Sequence, residues 1–120
     1  MHSMVNFYAC SNLSATDEFY QSLGLTLFHS SPSCNIYDSG YGYLGFLEKE
    51  NMILPDYSCI SFNCKGIAEV DEIYSRLKNN YNCTFPAEHE KFSVYSFFLN
   101  DPDGYRVEFQ YILNPALSVK

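Results

Sequence analysis

The sequence contains no tryptophan, no C-x-x-C pair and no run approaching the roughly 20 uninterrupted apolar residues of a membrane-spanning helix. Cations are scarce: seven Lys plus Arg stand against fourteen Asp plus Glu, a formal net charge of −7. A phosphate backbone is repelled by such a surface unless the cations cluster. Here they are scattered, which argues against nucleic acid and against an anionic membrane as partners. No basic stretch followed by an apolar run opens the chain, so no secretory signal is read and a cytoplasmic location is expected. The five cysteines (Cys10, Cys34, Cys59, Cys64 and Cys83) are odd in number and lack paired spacings. They read as reduced thiols, mostly buried as small apolar residues, rather than as a disulfide framework or a zinc ribbon. No Gly-rich phosphate loop is present, since Gly40-Tyr41-Gly42 reads as a turn, and no G-x-S-x-G elbow occurs.

What the chain does have is rings. Eleven Tyr and ten Phe make it 18% aromatic. A length of 120 residues supports one compact domain, and 47% hydrophobic residues is ordinary for a globular core. A core of that size cannot bury every ring. Two destinations stay open: a Tyr-rich surface or dimer interface, where a ring with a polar tip suits a half-wet site, and an aromatic-walled ligand cavity.

The chain divides near its middle. Residues 51–56, with Pro55, read as a connector between halves of about 4–49 and 57–112. The halves resemble one another at an offset of 54: Cys10, Leu13, Phe19, Tyr20 and Leu23 correspond to Cys64, Ile67, Ile73, Tyr74 and Leu77. Ile67, Val70, Ile73, Tyr74 and Leu77 fall at helical spacing on one face, and Asn79-Asn80 suits the helix end. In the first half Asn12 or Ser14 can cap a helix. Asp17 and Glu18 are expected near its positive end, and Gly24 can supply a left-handed C-terminal residue. β-Branched and aromatic runs bounded by turn residues predict strands at 4–10, 26–29, 35–38, 41–48, 58–63, 83–85, 94–100 and 106–112, with 30–33 as a loop. The order is β-α-β-β-β, twice.

Residues 100–110 read N-D-P-D-G-Y-R-V-E-F-Q. Pro102 suits the second position of a tight turn, and Gly104 a position with positive φ. On the strand that follows, alternation puts Arg106, Glu108 and Gln110 on one face and Val107 with Phe109 on the other. The polar face suits either solvent or a cavity. This segment resembles the closing hairpin of the vicinal oxygen chelate superfamily, D-P-D-G-x-x-(V/I/L)-E-(L/F). Phe19-Tyr20 followed by Leu23-Gly24 is similar to that family's first-helix signature, F-Y-x-x-x-L-G, and Cys10-Ser11-Asn12-Leu13 stands where its V-x-D-L occurs. The likeness covers about residues 4–112.

The resemblance implies an α+β fold in which two βαβββ modules form curved mixed sheets around a cavity. It also implies a homodimer, for which Tyr and Phe side chains at the centre are expected. The group includes glyoxalase I, extradiol dioxygenases, epimerases, thiol transferases and proteins that only sequester a drug. Its metal enzymes place ligands on the first and last strand of each half. Those positions fall here on Val5 (Asn6 if the register slips by one), on Gly45 or Phe46, on Cys59 and on Glu108, of which only Glu108 matches the pattern. His2 is terminal, His29 ends a strand and His89 is placed in a loop, while Glu48 serves only if the first half shifts by two. Transition-metal sites want three or four protein ligands, so no metal is expected. A divalent metal ion held through another register is the alternative. Glu108, Arg106, Gln110, Cys59 and Val5 are the candidate ligand-binding residues, with Glu108 also the candidate catalytic group. The favoured function is binding of an unknown small molecule without the usual metal. The alternative is a metal-dependent lyase, isomerase or dioxygenase acting on a small oxygen-chelating substrate. A third reading is a structural or partner-binding protein whose cavity has collapsed around its own side chains.

Overall fold

The structure is a computed structural model and describes residues 1–113. In chain order it has β1 (Val5–Cys10), α1 (Leu13–Ser22), β2 (Thr26–Ser31), β3 (Cys34–Asp38), β4 (Tyr43–Glu48), β5 (Ile60–Asn63), α2 (Ile67–Leu77), β6 (Ala87–His89), β7 (Val94–Asn100) and β8 (Arg106–Ile112). The protein is α+β. Two compact units meet in the connector, the first ending at Pro55 and the second beginning at Asp56. Each holds one open four-stranded mixed sheet, ordered β1-β4-β3-β2 in the first and β5-β8-β7-β6 in the second. The pairs β1/β4 and β5/β8 are parallel and the rest antiparallel. A helix supplies each parallel crossover, as parallel neighbours require. The two helices begin at Leu13 and Ile67, the offset of 54 read from the sequence. No helix among the described residues is long and apolar enough to cross a membrane.

In the first unit α1 turns Phe19 and Tyr20 onto the sheet. Tyr20 meets Phe46 with ring centroids 4.7 Å apart, and Tyr37 and Leu44 complete the buried layer. Asn12 Oδ1 accepts from the Ala15 N–H at 3.0 Å, and Glu48 Oε2 accepts from the Leu13 N–H at 2.8 Å, so two free donors of the first turn are satisfied. Gly24, at φ +108°, ends the helix in the conformation that favours glycine. Asp17 does not serve the helix dipole as expected. It is the fifth helical residue, outside the first turn, and its carboxylate instead accepts from the Tyr37 hydroxyl at 2.7 Å.

In the second unit α2 buries Val70 and Leu77 against β7 and β8. Phe97 and Phe109 stack at 5.4 Å, and Tyr74 meets Phe97 edge-on at 5.5 Å. The turn before β8 is built as its residues predict. Asp101 Oδ1 accepts from the N–H groups of Asp103 and Tyr105, each at 2.9 Å, and Gly104 takes φ +99°. Asp101 is buried, so this turn fixes where β8 starts and which face each of its residues presents.

Some boundaries differ from expectation. The strand expected at 83–85 is absent, and β6 lies at Ala87–His89 instead. Thr84 reaches β7 through its own backbone N–H, given to the Phe98 carbonyl, and through its hydroxyl, which accepts from the Phe98 N–H; both bonds are 2.9 Å. The side chain thus takes the place of a ladder bond, and Pro86, lacking an N–H, blocks regular pairing until Ala87. Ser30 and Ser31 belong to β2, which runs past a register shift between Leu27 and His29, leaving only Pro32-Ser33 as the turn. The cysteines are free, yet only Cys10 is buried; the other four are half-buried.

Candidate functional site

β8 is the middle of the site because both of its neighbours are paired along it. Val107 and Phe109 belong to the buried layer under α2, so alternation turns Arg106, Glu108, Gln110 and Ile112 to the opposite face. On one side the parallel register sets Ser61 of β5 beside Glu108; on the other the antiparallel register sets Phe98 of β7 beside it. The Ser61 hydroxyl donates to Glu108 Oε1 at 2.5 Å. Cys59 Sγ lies 3.4 Å from Ser61 Oγ and 3.9 Å from the same carboxylate oxygen. Glu108 is only 8% exposed, and the hydroxyl offsets part of the desolvation cost of a carboxylate placed there. Glu108 Oε2 has no hydrogen-bond partner among the described residues and is not fully enclosed.

Arg106 does not pair with Glu108. Its guanidinium carbon stands 3.9 Å from the centroid of the Phe98 ring, a cation–π contact, and that is its one side-chain interaction among the described residues. His89 meets the same ring edge-on at 5.9 Å. Gln110 donates from Nε2 to Asn63 Oδ1 at 3.0 Å. These groups border a cavity of about 690 Å³ whose lining belongs to the second unit. Cys59, Arg106, Glu108 and Gln110 line it together, as do Tyr57, His89, Lys91, Phe92 and Phe98. Arg106 also borders a shallower hollow of about 420 Å³ beside Asn82 and Asn100.

Of the five candidate residues, four therefore meet in one place. Val5 lies in the first unit and is not part of that lining. Ser61, His89, Lys91 and Phe98 escaped the sequence reading. Ser61 was within reach, because alternation from Cys59 puts residue 61 on the same strand face. His89, expected in a loop, ends β6, whose position the sequence misplaced.

The first unit shows what replaces the Glu108 site there. Its parallel register pairs Phe7 with Gly45 where the second unit pairs Ser61 with Glu108. A Cβ at Gly45 would stand 2.5 Å from two atoms of the Phe7 ring and 3.2 Å from Val5 Cγ1. Val5 rather than Asn6 thus shares the Gly45 face, while Phe46 is buried under α1. Glu48 is engaged at the start of α1. Among the described residues no three of His, Cys, Asp and Glu come together so as to hold a metal ion. The donors at the expected positions do not fit a transition-metal centre of three or four ligands.

Two βαβββ units, each with a parallel outer strand pair bridged by a helix, define an α+β protein of the glyoxalase fold. Residues 2–109 match the Glyoxalase/Bleomycin resistance protein/Dioxygenase superfamily, and the chain belongs to it. No curated protein matches it in sequence. Similar solved structures include an integron cassette protein from the mobile metagenome of the Halifax Harbour sewage outfall, with TM-score 0.76 and 22% identity over 91% of this chain and 97% of that one. Lactoylglutathione lyase from Agrobacterium tumefaciens gives TM-score 0.75 and 21% identity over 90% and 91%. A bleomycin-binding protein complexed with bleomycin gives 0.74 and 16% over 92% and 98%. At these identities the likeness is one of fold.

Proposed function

We propose that the protein binds a small molecule in the Glu108 cavity, without the metal that the family's enzymes use. One observation carries this: a carboxylate nine-tenths buried that lines a cavity of about 690 Å³, steadied by Ser61 through one oxygen, with its other oxygen unpartnered among the described residues. That volume falls in the range of ligand pockets, roughly 300–1,000 Å³. A free, pre-positioned acceptor among rings orients a ligand that donates a hydrogen bond. The bleomycin-binding neighbour supports the idea that this fold can hold a ligand. The donor set supports the metal-free part, because Gly45 and Val5 offer nothing to a cation and Ser61 already engages Glu108. Self-association into a homodimer and a cytoplasmic location belong to the same proposal; the five free thiols suit a reducing compartment.

The test is a thermal-melt screen of small molecules on the parent and on Glu108→Gln. A ligand that binds only the folded state must raise the melting temperature. The substitution is expected to leave folding intact and to weaken at least one ligand several-fold. Equal binding of every ligand by both proteins would remove Glu108 from the site. Near-stoichiometric zinc, nickel, iron or manganese in untagged protein would overturn the metal-free part and favour the lyase, isomerase or dioxygenase alternative.

A further inference from the structure

The cavity's charge runs against that of the chain. The protein carries −7, yet the wall holds two cations, Arg106 and Lys91, against one carboxylate, Glu108. Lys91 lies over the Phe92 ring at 5.4 Å and Arg106 over the Phe98 ring at 3.9 Å. Among the described residues neither makes an ion pair or a side-chain hydrogen bond. Lys78 lies over Tyr74 elsewhere in the second unit, but this wall brings two such cations to one cavity of an acidic chain.

The ring contact matters for Arg106. With its carbon 3.9 Å from the Phe98 centroid, the guanidinium rests against the ring, which restricts its movement and leaves its N–H groups to other acceptors. A carboxylate approaching at the edge can accept two parallel hydrogen bonds, with less entropy lost than a freely moving side chain would lose. Apolar and aromatic side chains, Tyr57, Phe92, Val94, Phe98 and Ile112, share the lining with the smaller polar contributions of Cys59, Ser93 and Gln110.

Building on the binding reading above, we infer that the ligand is an aromatic acid, its carboxylate on the Arg106 guanidinium and its ring against the Phe98–Phe92 wall. Glu108, on the same strand face two residues along, does not compete for the acid. It faces whatever hydrogen-bond donor the ligand carries, so the two ends of the polar stripe select opposite properties.

Three probes of one shape test this by isothermal titration: 2-naphthoate, 2-naphthamide and 2-naphthylmethylamine, an anion, a neutral amide and a cation. The naphthoate is expected to bind at least tenfold tighter than the amide. Arg106→Gln should erase that preference while leaving amide affinity within twofold, and Arg106→Lys should restore only part of it, because the fork is lost. Arg106 is exposed, and a melting curve checks that each variant is folded. A preference for the amide or the amine would overturn the aromatic-acid assignment while leaving a binding cavity at Glu108. So would an anion preference that survives in Arg106→Gln. Binding of none of the three also overturns the assignment, and the wider melt screen then decides separately whether the cavity binds anything.

Discussion

Tyr37 shows how a single residue ties the first unit together. Its ring is fully buried, and its hydroxyl donates to Asp17 on α1 at 2.7 Å while accepting from Asn35 Nδ2 at 3.1 Å. Ser30 donates to Asn35, and Gln21 to Asp17, so the phenol is the middle of a chain from β2 to α1. Burial, and then the hydrogen bond to Asp17, push the phenol well above its ordinary value of 10.0. The folded state therefore holds this proton more tightly than the unfolded chain does. The stabilisation is complete below about pH 10 and is lost as pH rises above it. Tyr37→Phe is expected to cost about 1–2 kcal/mol at neutral pH, since it leaves Asn35 and Asp17 short of a partner. It should also flatten the fall in stability between pH 9 and 11, measured by denaturant melts. A residual slope should persist, because the Tyr95 hydroxyl on Asp71 and the Cys64 thiol, pushed up to about 11 mainly by burial, shift in the same direction. An unchanged alkaline profile would show that the Tyr37 proton is not the one released. None of this network was legible in the sequence, which gives Tyr37 and Asp17 as residue types but not the register that brings them together.

The two helices form a natural comparison at the scale of the element. α1 is capped by the Asn12 side chain and by Glu48, whereas α2 begins at Gly66 with no side-chain cap and has only Glu69 Oε1 accepting from the Lys65 N–H at 2.7 Å. Asn12→Ala is expected to destabilise the protein by about 1 kcal/mol. Gly66→Asn, at an extended φ with open space where a Cβ would stand, should gain a few tenths of a kcal/mol. Chemical denaturation of the two variants checks both signs; an equal effect at the two positions would mean that side-chain capping does not limit either helix. Both helices and most strands were visible in the sequence because their signals are local: apolar spacing, a capping Asn, glycine at a required positive φ. β6 was missed for the opposite reason. Its three residues owe their pairing to β7, and the stronger aromatic pattern at 83–85 sits beside Pro86 and is held by the Thr84 side chain instead.

At the scale of the whole molecule the repeat was legible and its divergence was not. The offset of 54 located both helices, and the hairpin at Asp101 located Glu108, but the sequence could not show that Phe7 and Gly45 face one another where Ser61 and Glu108 do. That substitution has a consequence for assembly. On the sheet face turned away from α1, the first unit carries Phe7, which is 50% exposed, and Phe28, which is 62% exposed and packs on Tyr43 with centroids 4.8 Å apart. Exposed rings clustered on one face of a small acidic chain are costly to leave in water and are the usual mark of an interaction surface. A second copy of the chain is the expected cover. Light scattering at micromolar concentration should give twice the monomer mass, and Phe28→Ser, which opens no core cavity, should move the population toward monomer without lowering the unfolding midpoint measured at the same monomeric dilution. A monomer for the parent protein would remove the homodimer. A dimer indifferent to both Phe28→Ser and Phe7→Ser would place its interface on another surface, and the rings of this face would then need a different explanation.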